Sequence, residues 1–199
     1  MRSFTLILIV ASFILTSCAK EEKAIELIEK KEIDLQMIDA YEEGMIALDE
    51  QDGLIAARKF SEAELLFPQS VWAPRAALMA AYSYYSNEYF SDCIYELERF
   101  LKTYPNHPRT DYAYYLLAIS YYDQVIDEKK DLESILKSKE YFEFLINNYP
   151  NTDYAIDSNF KLELITEILA SKEMYLARYY VEKEKWIPSI NRFKIIVEK

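Results

Sequence analysis

Only two glycines occur in 199 residues, and that scarcity excludes more than most of the residues present. Tight hairpins, phosphate-cradling loops and dinucleotide turns all draw on backbone that glycine adopts at low cost. Their absence predicts helices joined by turns of Pro, Asn, Asp and Ser. Histidine occurs once, as His107, so a histidine-rich metal site or a Ser–His–Asp arrangement would have to be built on that one residue. It stands in Tyr104-Pro105-Asn106-His107-Pro108, between prolines, and reads as a turn residue. Basic charge is short as well: 23 Lys and Arg face 34 Asp and Glu, for a formal net charge of −11. Nucleic acid needs clustered Lys and Arg against its phosphates, so it is not an expected partner. The sequence predicts no catalytic residue, no metal and no cofactor.

What is present begins with a leader. Arg2 is followed by an apolar stretch from Phe4 to Leu15 and then by Leu15-Thr16-Ser17-Cys18. That is the order of a secretory signal, with an apolar core too short to span a membrane. Its ending resembles the bacterial lipobox. The resemblance implies removal of residues 1–17 and a diacylglyceryl thioether on Cys18, a covalent lipid that anchors the chain. More than one acyl chain makes such an anchor stable. Ala19 after the cysteine favours the outer membrane, by resemblance to the enterobacterial sorting rule. Residues 18–36, rich in Lys and Glu, read as a charged, partly helical tether. With Cys18 lipidated, Cys93 has no partner and reads as a buried packing thiol.

From Met37 onward apolar residues recur at three- and four-residue spacing. The stretch is punctuated by Phe67-Pro68, Tyr104-Pro105 and Tyr149-Pro150. Proline ends each helix because it lacks the N–H and disfavours helix in the residue before it. Recurrence on this scale suggests the tetratricopeptide (TPR) repeat, a helix–turn–helix of about 34 residues. Aligned on the prolines, the small-residue positions fall on Gly44, Ala56 and Ala63, and then on Ala81 and Cys93. A third unit places Ala118 and Ser138 there, and a fourth Ala177 and Ser189. The third unit carries an insertion around Val125 to Leu132, whose charged run Asp127 to Asp131 reads as a solvated loop. The excess before the fourth unit predicts one spacer helix, from Tyr154 to roughly Leu169. The fold class is therefore all-α: a TPR-type solenoid over 37–199, with about four repeats plus one spacer helix.

In such repeats the first helices line a concave groove. The groove positions fall on Tyr41, on Arg75, Leu78, Tyr82 and Tyr85, and on Tyr112, Tyr115 and Tyr122. Tyrosine gives large contact area at small entropic cost together with a hydroxyl, and arginine can clamp a carboxylate. The pattern predicts a groove for an extended peptide with aromatic side chains. A compositional account competes with it, since Tyr, Ile, Lys and Asn are all abundant, as in an A/T-rich coding sequence.

Several segments go beyond the generic repeat: Ala81-Tyr82-Ser83-Tyr84-Tyr85, Arg99-Phe100-Leu101, Pro105-Asn106-His107-Pro108 and Asp111-Tyr112. Tyr149-Pro150-Asn151-Thr152, Arg178-Tyr179-Tyr180, and Trp186 with Asn191-Arg192 follow in order. With the lipobox, they resemble the BamD (ComL) family of outer-membrane lipoproteins, from about Tyr41 to Lys199. The resemblance implies a non-catalytic subunit of the β-barrel assembly machine, anchored at the periplasmic face of the outer membrane. It implies two partners: the barrel-forming subunit, contacted by Arg192, and the aromatic-ended strand of unfolded barrel precursors, received by the N-terminal repeats. The family has a fifth repeat and this sequence stops within the fourth. The repeat domain is thus expected to be truncated relative to the family, either because the sequence is cut short or because its lineage lacks the repeat, with an open apolar face at Ile195, Ile196 and Val197. A second reading stays open: a TPR lipoprotein that coordinates cell-envelope, peptidoglycan or division factors. A small-molecule carrier would need a closed cavity, which an open stack does not supply.

Overall fold

A computed structural model describes residues 18–125 and 132–198. Among them every regular element is helical: α1 (Cys18–Asp49), α2 (Gly53–Leu66), α3 (Ala73–Ser86), α4 (Phe90–Thr103), α5 (Thr110–Asp123), α6 (Leu132–Asn148), α7 (Asp153–Glu182) and α8 (Trp186–Glu198). Each packs chiefly on its sequence neighbours, while α3 with α5 and α5 with α7 touch along one side of the stack. That nearest-neighbour order is the TPR-type solenoid.

The helix ends follow from local chemistry. Asp52 Oδ1 accepts the Ile55 N–H at 3.1 Å to open α2, and Thr152 Oγ1 accepts the Ala155 N–H at 3.2 Å to open α7. Pro74 stands in the first turn of α3, where its missing N–H costs nothing. The aromatics before Pro68, Pro105 and Pro150 close α2, α4 and α6, with the Tyr104 and Tyr149 N–H groups each donating back at 2.8 Å to the Phe100 and Leu145 carbonyls. Three turns within units share one geometry. Gln51, Glu88 and Glu184 all take a positive φ, of 63°, 63° and 56°. The N–H of the next residue bonds back to Ala47, Tyr84 and Tyr180. This is the Schellman closure, made without glycine.

The core repeats with the units. Phe60, Leu97 and Phe142 are fully buried at one equivalent position, and Ala56, Cys93 and Ser138 at another. The Ser138 hydroxyl donates to the Ala118 carbonyl at 2.9 Å, and Ser189 repeats the contact on Ala177 at 3.1 Å. Cys93 is a buried packing thiol, 3.2 Å from Ser120 Oγ, and burial pushes it up to about 12.

Two features differ in detail from the periodicity. The spacer helix is not a separate element: it runs on into the first helix of the fourth unit as the single α7. No Pro or Gly stands between Asp153 and Glu182, so nothing interrupts the backbone ladder. α1 likewise passes through the boundary at 36/37 unbroken, and Met37 is the first buried side chain described. The leader 1–17 and most of the insertion, 126–131, lie outside the described residues. At the far end Val197 is 86% exposed, whereas Ile195 and Ile196 are half-buried. Trp186, Ile187 and Ile190 on α8 are exposed too.

Candidate functional site

Five of the eight expected groove residues come together. Tyr41, Arg75, Leu78, Tyr82 and Tyr112 line an open cleft of about 720 Å³, joined by Met79, His107, Pro108 and Arg109. One wall is Tyr41 from α1 and the first three turns of α3. The other is the turn between α4 and α5 with Tyr112 beyond it. Leu78 is buried and forms apolar floor, while Tyr82 lies at the margin of exposure.

The walls are braced from behind. Tyr41 packs edge-on against Phe60 at 5.1 Å and Trp72 at 5.4 Å, and the Arg75 guanidinium lies 5.3 Å from the Trp72 ring centroid. Burial raises the Tyr41 hydroxyl above its ordinary value, with Arg75 opposing. Tyr112 is raised as well, first by burial and then by the neighbouring Tyr82 and Tyr154 hydroxyls. These phenols stay protonated and can donate.

Charge in the cleft is positive. Among the described residues neither Arg75 nor Arg109 forms an ion pair, whereas Arg99 and Arg192 do. His107 is held below its ordinary value by burial first and then by Arg75 and Arg109. A neutral imidazole beside two guanidiniums without carboxylate partners among the described residues, with phenol donors around it, is suited to an anion joined to an apolar or aromatic body.

The three remaining tyrosines are committed elsewhere. Tyr85 donates to Asp123 Oδ2 at 2.9 Å and packs against Phe90. Tyr115 donates to Asp157 Oδ2 at 2.7 Å and packs on Tyr154. Tyr122 has the Lys161 ammonium 5.2 Å from its ring. They continue the tyrosine surface away from the cationic cleft, Tyr85 and Tyr115 with carboxylates as partners.

The repeat positions missed Met79, His107, Pro108 and Arg109. His107 does shape its turn: its Nδ1 accepts the Arg109 N–H at 3.3 Å and its own N–H donates to Tyr104 at 3.1 Å. For Pro108 and Arg109 the signal was position, since residues just before a first helix share the rim with that helix's first turn. Arg192 lies apart, on α8, bonded to Glu173 of α7. Cys18 opens α1. Among the described residues no group of His, Cys, Asp and Glu could hold a metal ion, and no helix is long and apolar enough to cross a membrane.

Comparison with known proteins covers nearly the whole chain. The family model described as outer membrane lipoprotein (YfiO) matches residues 33–199. The outer membrane protein assembly factor BamD of Caulobacter vibrioides is 30% identical over 191 residues, 96% of this chain and 61% of the relative. BamD of Rickettsia prowazekii is 37% identical over 158 residues, 79% of this chain and 63% of the relative. BamD of Neisseria gonorrhoeae is 29% identical over 167 residues, 79% of this chain and 62% of the relative. The chain thus spans about six-tenths of the length of the curated relatives it matches. Matched by the family model from residue 33 to 199, this repeat stack belongs to the BamD (YfiO) family of outer membrane lipoproteins.

Proposed function

We propose that this chain is a non-catalytic assembly factor for outer-membrane β-barrels, held at the periplasmic face by lipid on Cys18. Its cleft receives the carboxylate-bearing, aromatic-ended strand of an unfolded barrel precursor. One observation carries this reading: the guanidiniums of Arg75 and Arg109, neither in an ion pair among the described residues, share a cleft with Tyr41, Tyr82 and Tyr112. A terminal carboxylate meets the arginines through charge-assisted hydrogen bonds, and the aromatic residue stands among the tyrosines over Leu78. The names of the curated relatives support the assembly role. The second partner, the barrel-forming subunit, would be met at the far end of the stack, around Arg192.

Binding of a fluorescein-labelled peptide ending in phenylalanine, followed by anisotropy on the mature chain, tests the cleft. Arg75→Ala and Arg109→Ala should each weaken binding about tenfold, the scale of one charge-assisted contact. Equal affinity in both variants and the parent would remove the cleft from the function.

A further inference from the structure

Glu64 is the one Asp or Glu that is buried among the described residues, at 6% exposure. It projects from α2 toward α4, where Arg99 meets it with two nitrogens, Nη1 donating to Oε1 at 2.8 Å and Nη2 to Oε2. Arg99 Nε donates in turn to Glu96 at 2.8 Å. A third donor reaches Glu64 from further along the chain, the Tyr104 hydroxyl, 2.8 Å from Oε1. A buried carboxylate needs its lone pairs met in this way, and well-packed apolar residues often hold such a place with equal stability. What the charged network adds is a defined geometry.

That geometry bears on the cleft. Tyr104 caps α4, and the turn after it carries His107, Pro108 and Arg109, one wall of the cleft. The His107 N–H is bonded to the Tyr104 carbonyl at 3.1 Å, and its ring stands edge-on to Phe100 at 5.5 Å. The opposite wall is referred to the same turn of α2. Ala63, next to Glu64, packs in one cluster with Met37, Ala40 and Ala76, against which Tyr41 lies. Both walls are therefore measured from residues 63 and 64, although the walls belong to different repeats.

We propose that Glu64, acting through Arg99 and Tyr104, is a positioning residue that sets how far the Arg109 wall stands from the Arg75 wall. The inference rests on the peptide-cleft reading above and deepens it. Glu64 touches no ligand; it fixes the spacing of the two guanidiniums that would grip one carboxylate.

The test uses two phenylalanine-ended peptides, identical except that one ends in a free carboxylate and the other in a carboxamide. The parent chain should prefer the carboxylate about tenfold. In Tyr104→Phe and Glu64→Gln that preference should fall to about twofold or less, while carboxamide affinity holds. A merely structural role would weaken both peptides alike and leave the ratio intact, and that result overturns the proposal while the cleft reading stands. If the parent chain shows no preference and Arg109→Ala changes nothing, the cleft reading fails and the positioning role falls with it. Tyr104→Phe keeps the Glu64–Arg99 pair, so its folded state, checked by circular dichroism, decides the matter even if Glu64→Gln does not fold.

Discussion

Arg192 is already occupied: its Nη1 donates to both carboxylate oxygens of Glu173, at 2.9 and 3.2 Å, and so ties α8 to α7. On the proposed reading Arg192 meets the barrel-forming partner, so a partner carboxylate would have to compete with Glu173. Replacing the arginine by glutamate sets two carboxylates against each other within the chain. Arg192→Glu is expected to lower the melting temperature through a loss of roughly 1 kcal/mol. The exchanged pair Glu173→Arg with Arg192→Glu should recover that loss. A double variant with restored melting that still fails to retain the barrel-forming subunit in a pulldown assigns Arg192 to the partner. Retention by the double variant moves the contact elsewhere.

Gly44 is required by a crossing. A Cβ there would stand 2.9 Å from Cδ1 and Cε1 of the fully buried Phe60 ring. Alanine favours helix over glycine by about 1 kcal/mol, but overpacking a closed contact costs about 1–3. Gly44→Ala should therefore destabilise in urea titration, and Phe60→Leu in the same chain should return part of the loss. A stabilised Gly44→Ala would show that the helices separate freely.

Much of this architecture was legible because proline and small residues act locally. Pro68, Pro105 and Pro150 stop the helices that precede them, and Gly44, Ala81, Ala118 and Ala177 mark crossings with no room for more. The unbroken α7 was not legible, since a surplus of residues between units does not say whether the backbone breaks. Nor was the division among the tyrosines. Tyr41, Tyr82 and Tyr112 share the cleft, while Tyr85 and Tyr115 are taken by Asp123 and Asp157, residues from neighbouring helices. Repeat position puts a side chain on a face; which hydroxyl stays open there depends on tertiary partners. Arg109 and His107 lay outside the repeat's groove positions for the same reason, as the rim is assembled from two units.

Glu88 sits at φ 63° in the turn between α3 and α4, away from the cleft. A left-handed residue with a Cβ costs about 1–2 kcal/mol, and glycine returns part of that while adding entropy to the unfolded chain. Glu88→Gly should raise stability by about 0.5–1 kcal/mol, seen as a higher urea midpoint at unchanged slope. A lower midpoint would mean that the Glu88 side chain holds the turn.

His107 gives the cleft a pH dependence whose sign can be worked out. Its folded value lies below the ordinary 6.5, through burial first and then Arg75 and Arg109. The unfolded chain thus binds the proton more readily, so stability is intact above the unfolded value and is lost as pH falls through the folded one. Urea titrations at decreasing pH should show the parent losing more stability than His107→Gln, and this difference separates His107 from the background of carboxylates. A bound carboxylate reverses the local balance, because the protonated imidazole becomes a third cation beside the two guanidiniums. The ligand keeps its charge down to about pH 4, so the affinity for a carboxylate-ended peptide should rise as pH falls toward 5. The carboxamide peptide and the His107→Gln variant should lack that rise. An affinity that falls on acidification in the parent, or changes equally in His107→Gln, would place the bound carboxylate out of reach of His107.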